Sequence, residues 1–136
     1  MGSESMNTAE DMKRAYEQAQ VQLQSIIDMV GALNTEEEAE LEQAKQRIYE
    51  DPLSIQVRSD WYNAGNSSEI EPAEFMILLC TGGPATRIIG TLGQFNEPVD
   101  ATLQFQDWFM PWTNYACDTN EAVALVKYAQ EFWFGD

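Results

Sequence analysis

The apolar positions of this chain change from a helical period to a period of two at Asp51-Pro52, and that change places helices ahead of the sheet. Before it, Met12, Tyr16, Ala19, Leu23, Ile26, Val30 and Leu33 recur in alternating steps of four and three. That is the a/d seam of a helix packed lengthwise on another helix. Ala15, Ile27 and Met29 widen the stripe, favouring burial against a domain over a thin exposed zipper. Gly31 and Asn34 weaken and stop the helix. Thr35 followed by Glu38 is a capping-box pattern with Glu36 and Glu37 in the first turn, so a second helix is expected to run to about Tyr49. It ends before Pro52, because the residue preceding proline avoids helical geometry.

After Pro52 the period is two. Leu53, Ile55 and Val57 alternate with Ser54, Gln56 and Arg58, as in a half-buried strand. Residues 62–74 read as a polar loop. Residues 75–81 and 85–92, joined by Gly82-Gly83-Pro84, predict a central hairpin, and 101–107 a fourth strand. An aromatic loop at 108–115 leads to a last helix capped by Asp118 or Thr119 and running from about Asn120 to Phe134. Its apolar face is read as Val123, Val126, Ala129 and Trp133, with Ala122, Leu125 and Phe132 beside them. The predicted fold class is α+β: an N-terminal helical hairpin, a four-stranded antiparallel sheet and a C-terminal helix packed on the sheet. Residues 1–6 are set apart as a tag remnant, 7–51 form the hairpin, and 52–136 form the sheet with its helix, all in one domain.

The charge narrows the function. Seven basic residues stand against 23 acidic ones with no histidine, a formal net charge of −16. Such a surface repels nucleic acid, anionic membranes and acidic metabolites, and attracts basic surfaces. No apolar run is long enough for a membrane span and no secretory leader is recognisable, so a cytoplasmic protein is expected. Cys80 and Cys117 are then expected as free thiols. Gly82-Gly83-Pro84 lacks the lysine and following helix of a phosphate-binding loop, and Cys80 has no histidine to activate it. Asp107, beside Trp108, is the one acid in an aromatic setting; turn chemistry favours a role at the start of the loop over acid/base chemistry. Histidine is absent, the cysteines are far apart and the EF-hand spacing is missing, so no metal site, cofactor or catalytic residue is assigned and an enzyme is not expected. Arg58 and Arg87 are expected to pair with carboxylates and hold strands in register.

Two segments remain as candidate interfaces. Glu36, Glu37, Glu38, Glu40 and Glu42 crowd the start of the second helix, with Glu36, Glu37 and Glu40 expected on one side at i, i+3, i+4 spacing. Trp108, Phe109 and Trp112 form a proline-stiffened aromatic cluster of the kind enriched where proteins meet, although packing between the sheet and the last helix would also use them.

The blocks DPLSIQVRS, EFMILLCTGGPATRIIG, LQFQDWFMPWT and FWFGD, spread over residues 51–136, resemble a set of small proteins without assigned function encoded by bacterial phages and other mobile elements. The resemblance implies action against host defences, of the anti-CRISPR or anti-restriction kind; it carries no active site, and residues 9–49 lie outside it. The expected function is therefore an acidic inhibitor occupying the basic nucleic-acid-binding cleft of a host protein. The five glutamates would act as phosphate mimics, and the chain would bind no nucleic acid or membrane itself. The alternative is a structural or adaptor protein that homodimerises through the seam Met12, Tyr16, Ala19, Leu23, Ile26, Val30 and Leu33.

Overall fold

The computed structural model describes residues 2–107 and 110–135. Its elements are α1 (Gly2–Gly31), α2 (Glu38–Glu50), β1 (Ser54–Ser59), β2 (Pro72–Cys80), β3 (Ala85–Thr91), β4 (Thr102–Gln106), β5 (Thr113–Asn114) and α3 (Thr119–Ala129). The sheet is an antiparallel meander in the order β1-β2-β3-β4-β5. The α+β class and the meander match the sequence expectation, but the sheet has five strands, not four. The fifth is the two-residue β5 inside the predicted aromatic loop, where Thr113 pairs with Phe105 and Asn114 with Gln104. Two residues carry no readable alternation, which is why the pattern misses it.

Alternation divides the sheet into two faces. One presents Phe75, Ile77, Leu79, Ile88, Leu103 and Phe105, all buried under the helices. Cross-strand partners stack on this face: Ile55 with Ile77, Ile77 with Ile88, and Ile88 with Leu103. Helix α1 lies over β3 and β4 and beside α3. Its buried stripe is Ala15, Ala19, Leu23, Ile26, Met29 and Val30, with Met12, Ile27 and Leu33 packed at its margins. The small Ala15 and Ala19 let α1 approach its neighbours closely, and each fully buried Leu or Ile contributes about 1.5–3 kcal/mol relative to exposure. The heptad seam is thus occupied within the chain. Its member Tyr16 is partly exposed, stacked on Tyr115 at 5.0 Å and edge-on to Phe105 at 5.8 Å.

Several element boundaries differ from expectation; strand β2 begins at Pro72, inside the stretch read as a polar loop. Helix α1 begins at Gly2, ahead of the start expected at residue 7. Helix α2 begins at Glu38, with Glu37 as its N-cap and no side-chain cap bond. The predicted capping box at Thr35 does not form, because the Thr35 hydroxyl donates to Glu40 (2.9 Å) and accepts from the Glu37 amide (3.3 Å). Helix α3 has a true capping box, Asp118 accepting from the Glu121 amide (2.8 Å) and Glu121 accepting from the Asp118 amide (2.9 Å). It stops at Ala129 rather than near Phe134. The chain then turns through Glu131 and Phe132 so that Phe134 is buried against Phe75, ring centroids 4.9 Å apart. The buried face of α3 is consequently Ala124, Leu125, Tyr128 and Ala129, while Val123 and Trp133, expected inside, are exposed.

Two glycine sites are dictated by geometry. Gly82 and Gly83, at φ +96° and +122°, make the β2–β3 turn in a region other residues rarely adopt. A side chain at Gly90 would collide with the Asp100 carbonyl oxygen and the Phe75 ring.

Tyr128 ties the helical layer together: fully buried on α3, it donates its hydroxyl to Asp51 Oδ2 at the end of α2 (2.6 Å). Burial first, and Asp51 second, push the Tyr128 phenol well above its ordinary value. Tyr115 is pushed up to about 12, by burial first and then by its contact with Tyr16. A phenol with a raised folded-state pKa contributes stability that is fully present below its unfolded value, about 10. That stability is lost as pH rises, because the unfolded chain releases the proton first. The urea midpoint should therefore fall from about pH 10 upward. Tyr128→Phe should flatten that fall and cost about 1 kcal/mol at pH 7 through the lost hydrogen bond; an unchanged alkaline slope would contradict the assignment.

Candidate functional site

On the face turned away from the helices, cross-strand register aligns three rows of side chains. The first runs Arg58, Glu74, Thr91; the second Gln56, Met76, Ile89, Thr102; the third Leu78, Arg87, Gln104, Asn114. Met76 and Ile89 form an apolar floor between two polar rows. Above it lies a hollow of about 550 Å³ bounded by Gln56, Arg58, Glu74, Arg87 and Thr102.

The rows are internally bonded. Arg58 Nε donates to Glu74 directly across the β1–β2 pair, so Arg58 pairs with a carboxylate as expected, its partner lying in the stretch read as a polar loop. The hydrogen bond between them lowers the Glu74 carboxyl and raises the Arg58 guanidinium. Asp100 closes the same end by accepting from both the amide (2.7 Å) and hydroxyl (2.8 Å) of Thr91. At the other end Gln104 accepts from Arg87 Nε (2.8 Å) and donates to Asn114 (2.8 Å).

Arg87 departs from expectation. Among the described residues no carboxylate pairs with it; its Nη1 faces Met76 Sδ at 3.3 Å and its guanidinium lies 4.1 Å from the centroid of the Trp112 ring. Half-buried, it is pushed below the ordinary arginine value, by burial first and by the nearby Arg58 second. Trp112 therefore packs on the open face over a cation instead of between the sheet and α3. Its partners in the predicted aromatic interface, Trp108 and Phe109, lie outside the described residues.

The predicted acidic interface is partly reorganised. Glu36, Glu37, Glu38, Glu40 and Glu42 are all exposed, and among the described residues none forms an ion pair. Glu36 and Glu37 precede the helix, however, so the i, i+3, i+4 alignment with Glu40 does not exist; the cluster spans the α1–α2 connection and the start of α2. The seam residues Ala19, Leu23, Ile26 and Val30 are buried in the chain's own core, while Tyr16 is partly exposed. Asp107 is buried at the end of β4 with Arg14 of α1 3.9 Å from its Oδ2, a tie between helix and sheet. The Cys80 thiol lies 3.2 Å from the buried Thr86 hydroxyl, and burial raises the Cys117 thiol, with Glu121 and Asp118 adding to it. Among the described residues no three His, Cys, Asp or Glu side chains converge as a metal would need, and no helix is long and apolar enough to cross a membrane.

No protein-family model, curated protein or solved structure matches the chain.

Sequence reasoning missed the Arg87–Trp112 pairing because the two residues are far apart in sequence and Trp112 lies in a segment without period. The alternation of Arg87 with Ile88 does place the arginine on the face opposite the core. A double-mutant cycle of Arg87→Met and Trp112→Leu, read by urea unfolding, should return a coupling of about 0.5–1 kcal/mol. Additive effects would mean that the two side chains do not stabilise one another.

Proposed function

We propose that this chain is an acidic binding protein that occupies the basic nucleic-acid-binding cleft of a bacterial host protein, a defence nuclease or CRISPR complex being the class of target. The observation that supports this most is the exposed cluster Glu36, Glu37, Glu38, Glu40 and Glu42, without ion-pair partners among the described residues. Like charges crowded on a short segment repel one another and are relieved by a cationic partner. Glu38 and Glu40 also lie in the first turn of α2, where the helix dipole favours negative charge and offsets part of that repulsion. The remaining field of a chain at −16 steers basic surfaces toward it and phosphates away.

The acidic hairpin is preferred to the aromatic segment because Trp112 is already engaged with Arg87. The homodimeric adaptor is the weaker reading, since the seam that would mediate it is buried in the chain's own core.

The test is capture from a bacterial lysate at low and high salt, with duplex DNA as competitor. The intact chain should retain a nucleic-acid-binding protein that DNA displaces and salt releases. Changing Glu36, Glu37, Glu40 and Glu42 together to Gln should reduce recovery at least tenfold, about 1.4 kcal/mol in the conversion between affinity and free energy. Retention unaffected by salt, DNA and the Gln changes would end the mimic reading.

A further inference from the structure

The hollow on the open sheet face has the parts of a ligand site that the acidic hairpin does not explain. Arg87 is held from three sides, by Gln104 at Nε, by Met76 sulfur at Nη1 and by the Trp112 ring. A guanidinium carries five N–H donors, and these contacts use only two of them. The others have no carboxylate among the described residues, in a chain with 23 acidic side chains. The neighbouring Arg58, by contrast, is neutralised across the strand by Glu74. One fixed, half-buried and uncompensated cation thus stands at the end of an apolar floor made by Met76 and Ile89.

We propose that this hollow binds a small monocarboxylic acid with a flat apolar body, its carboxylate on Arg87 and its body over Met76 and Ile89. A carboxylate matches the planar fork of a guanidinium, and the resulting charge-assisted bonds are stronger than neutral ones. The volume of about 550 Å³ suits a small molecule. The charge of the whole chain selects against more highly charged ligands. Screening confines that repulsion to about 8 Å in physiological salt, but a second negative charge brought into the hollow finds no second free arginine there, since Arg58 belongs to Glu74. Polyanions are excluded on the same ground. The site is separate from the acidic hairpin, and either assignment stands or fails without the other.

The test uses the full chain and 2-naphthoate as probe, followed by amide shifts in two-dimensional NMR. 2-Naphthoate should move the amides of Met76, Arg87, Ile89 and Gln104 in a saturable manner. The uncharged 2-naphthamide and the dianionic 2,6-naphthalenedicarboxylate should each bind about tenfold more weakly or less, a difference of one charge-assisted bond. Arg87→Gln should abolish the response, and Arg87→Lys should weaken it by removing the planar fork while keeping the charge. Met76→Glu covers the case in which Arg87→Gln does not fold: it supplies an internal carboxylate to Arg87 and should keep the fold while blocking the probe. Equal binding of the amide and the acid, or undiminished binding to Met76→Glu, would overturn the proposal. So would binding of a short acetylated glutamate peptide at this face in the absence of any response to 2-naphthoate.

Discussion

Helix α1 holds the molecule together by burying one continuous stripe, from Ala15 through Leu23 and Ile26 to Met29, against the sheet and α3. Everything else is arranged around that contact. The two alanines let the helix approach closely, so that Leu103 and Phe105 of β4 and Leu125 and Ala129 of α3 lie in the same core. Because a two-layer α+β domain covers only one face of its sheet, the other face stays open. The rows of Arg58, Met76 and Arg87 are there for that reason. The β1 edge also extends beyond the helical cover, leaving Leu53, Ile55 and Val57 exposed on the side where β2 is buried.

The same packing governs the electrostatics. With the inner surfaces of the helices apolar, most carboxylates are displaced to the outer surface, and five of them gather over the α1–α2 connection and the start of α2. Mutual repulsion across such a surface opposes compaction, so the buried stripe must be large enough to outweigh it. Two polar ties assist at the margins. Tyr128 fixes the end of α2 to α3 through Asp51, and Arg14 of α1 approaches the buried Asp107 at the end of β4. The few cations are therefore not spread evenly: Arg14 and Arg58 face carboxylates, whereas Arg87 is held by an amide, a thioether and an indole.

How much of this was legible follows from what each signal measures. Period carries well over long segments, so α1, the β2–β3 hairpin and the meander were readable from residues such as Leu23, Ile26, Ile77 and Ile88. It fails over two residues, which hid β5, and it does not fix where a helix begins: the capping-box pattern points to Thr35, whereas Glu37 is the N-cap. It also cannot tell which neighbour an apolar stripe meets. The seam of α1 has the spacing of a coiled coil, yet its partner is the chain's own sheet, a distinction that depends on tertiary proximity. The face of α3 was misjudged because the chain turns back after Ala129, placing Phe134 inside and leaving Trp133 outside. Of the candidate site, the acidic cluster and the pairing of Arg58 with a carboxylate were visible in sequence, but not that the partner is Glu74, which falls in the stretch read as a loop. The setting of Arg87 was not, because Trp112 reaches it from a segment with no pattern of its own.

The central claim is that the α1 seam packs within one chain and supports the whole fold. Urea unfolding of the intact chain and of Ile26→Ala, each at two protein concentrations differing about a hundredfold, tests it directly, since the midpoint of an assembly depends on concentration and that of a monomer does not. The account predicts a loss of about 2–5 kcal/mol for Ile26→Ala and midpoints unchanged by concentration. A midpoint that rises with concentration, or a loss well under 1 kcal/mol, would show that the seam is buried against a second copy or not buried at all.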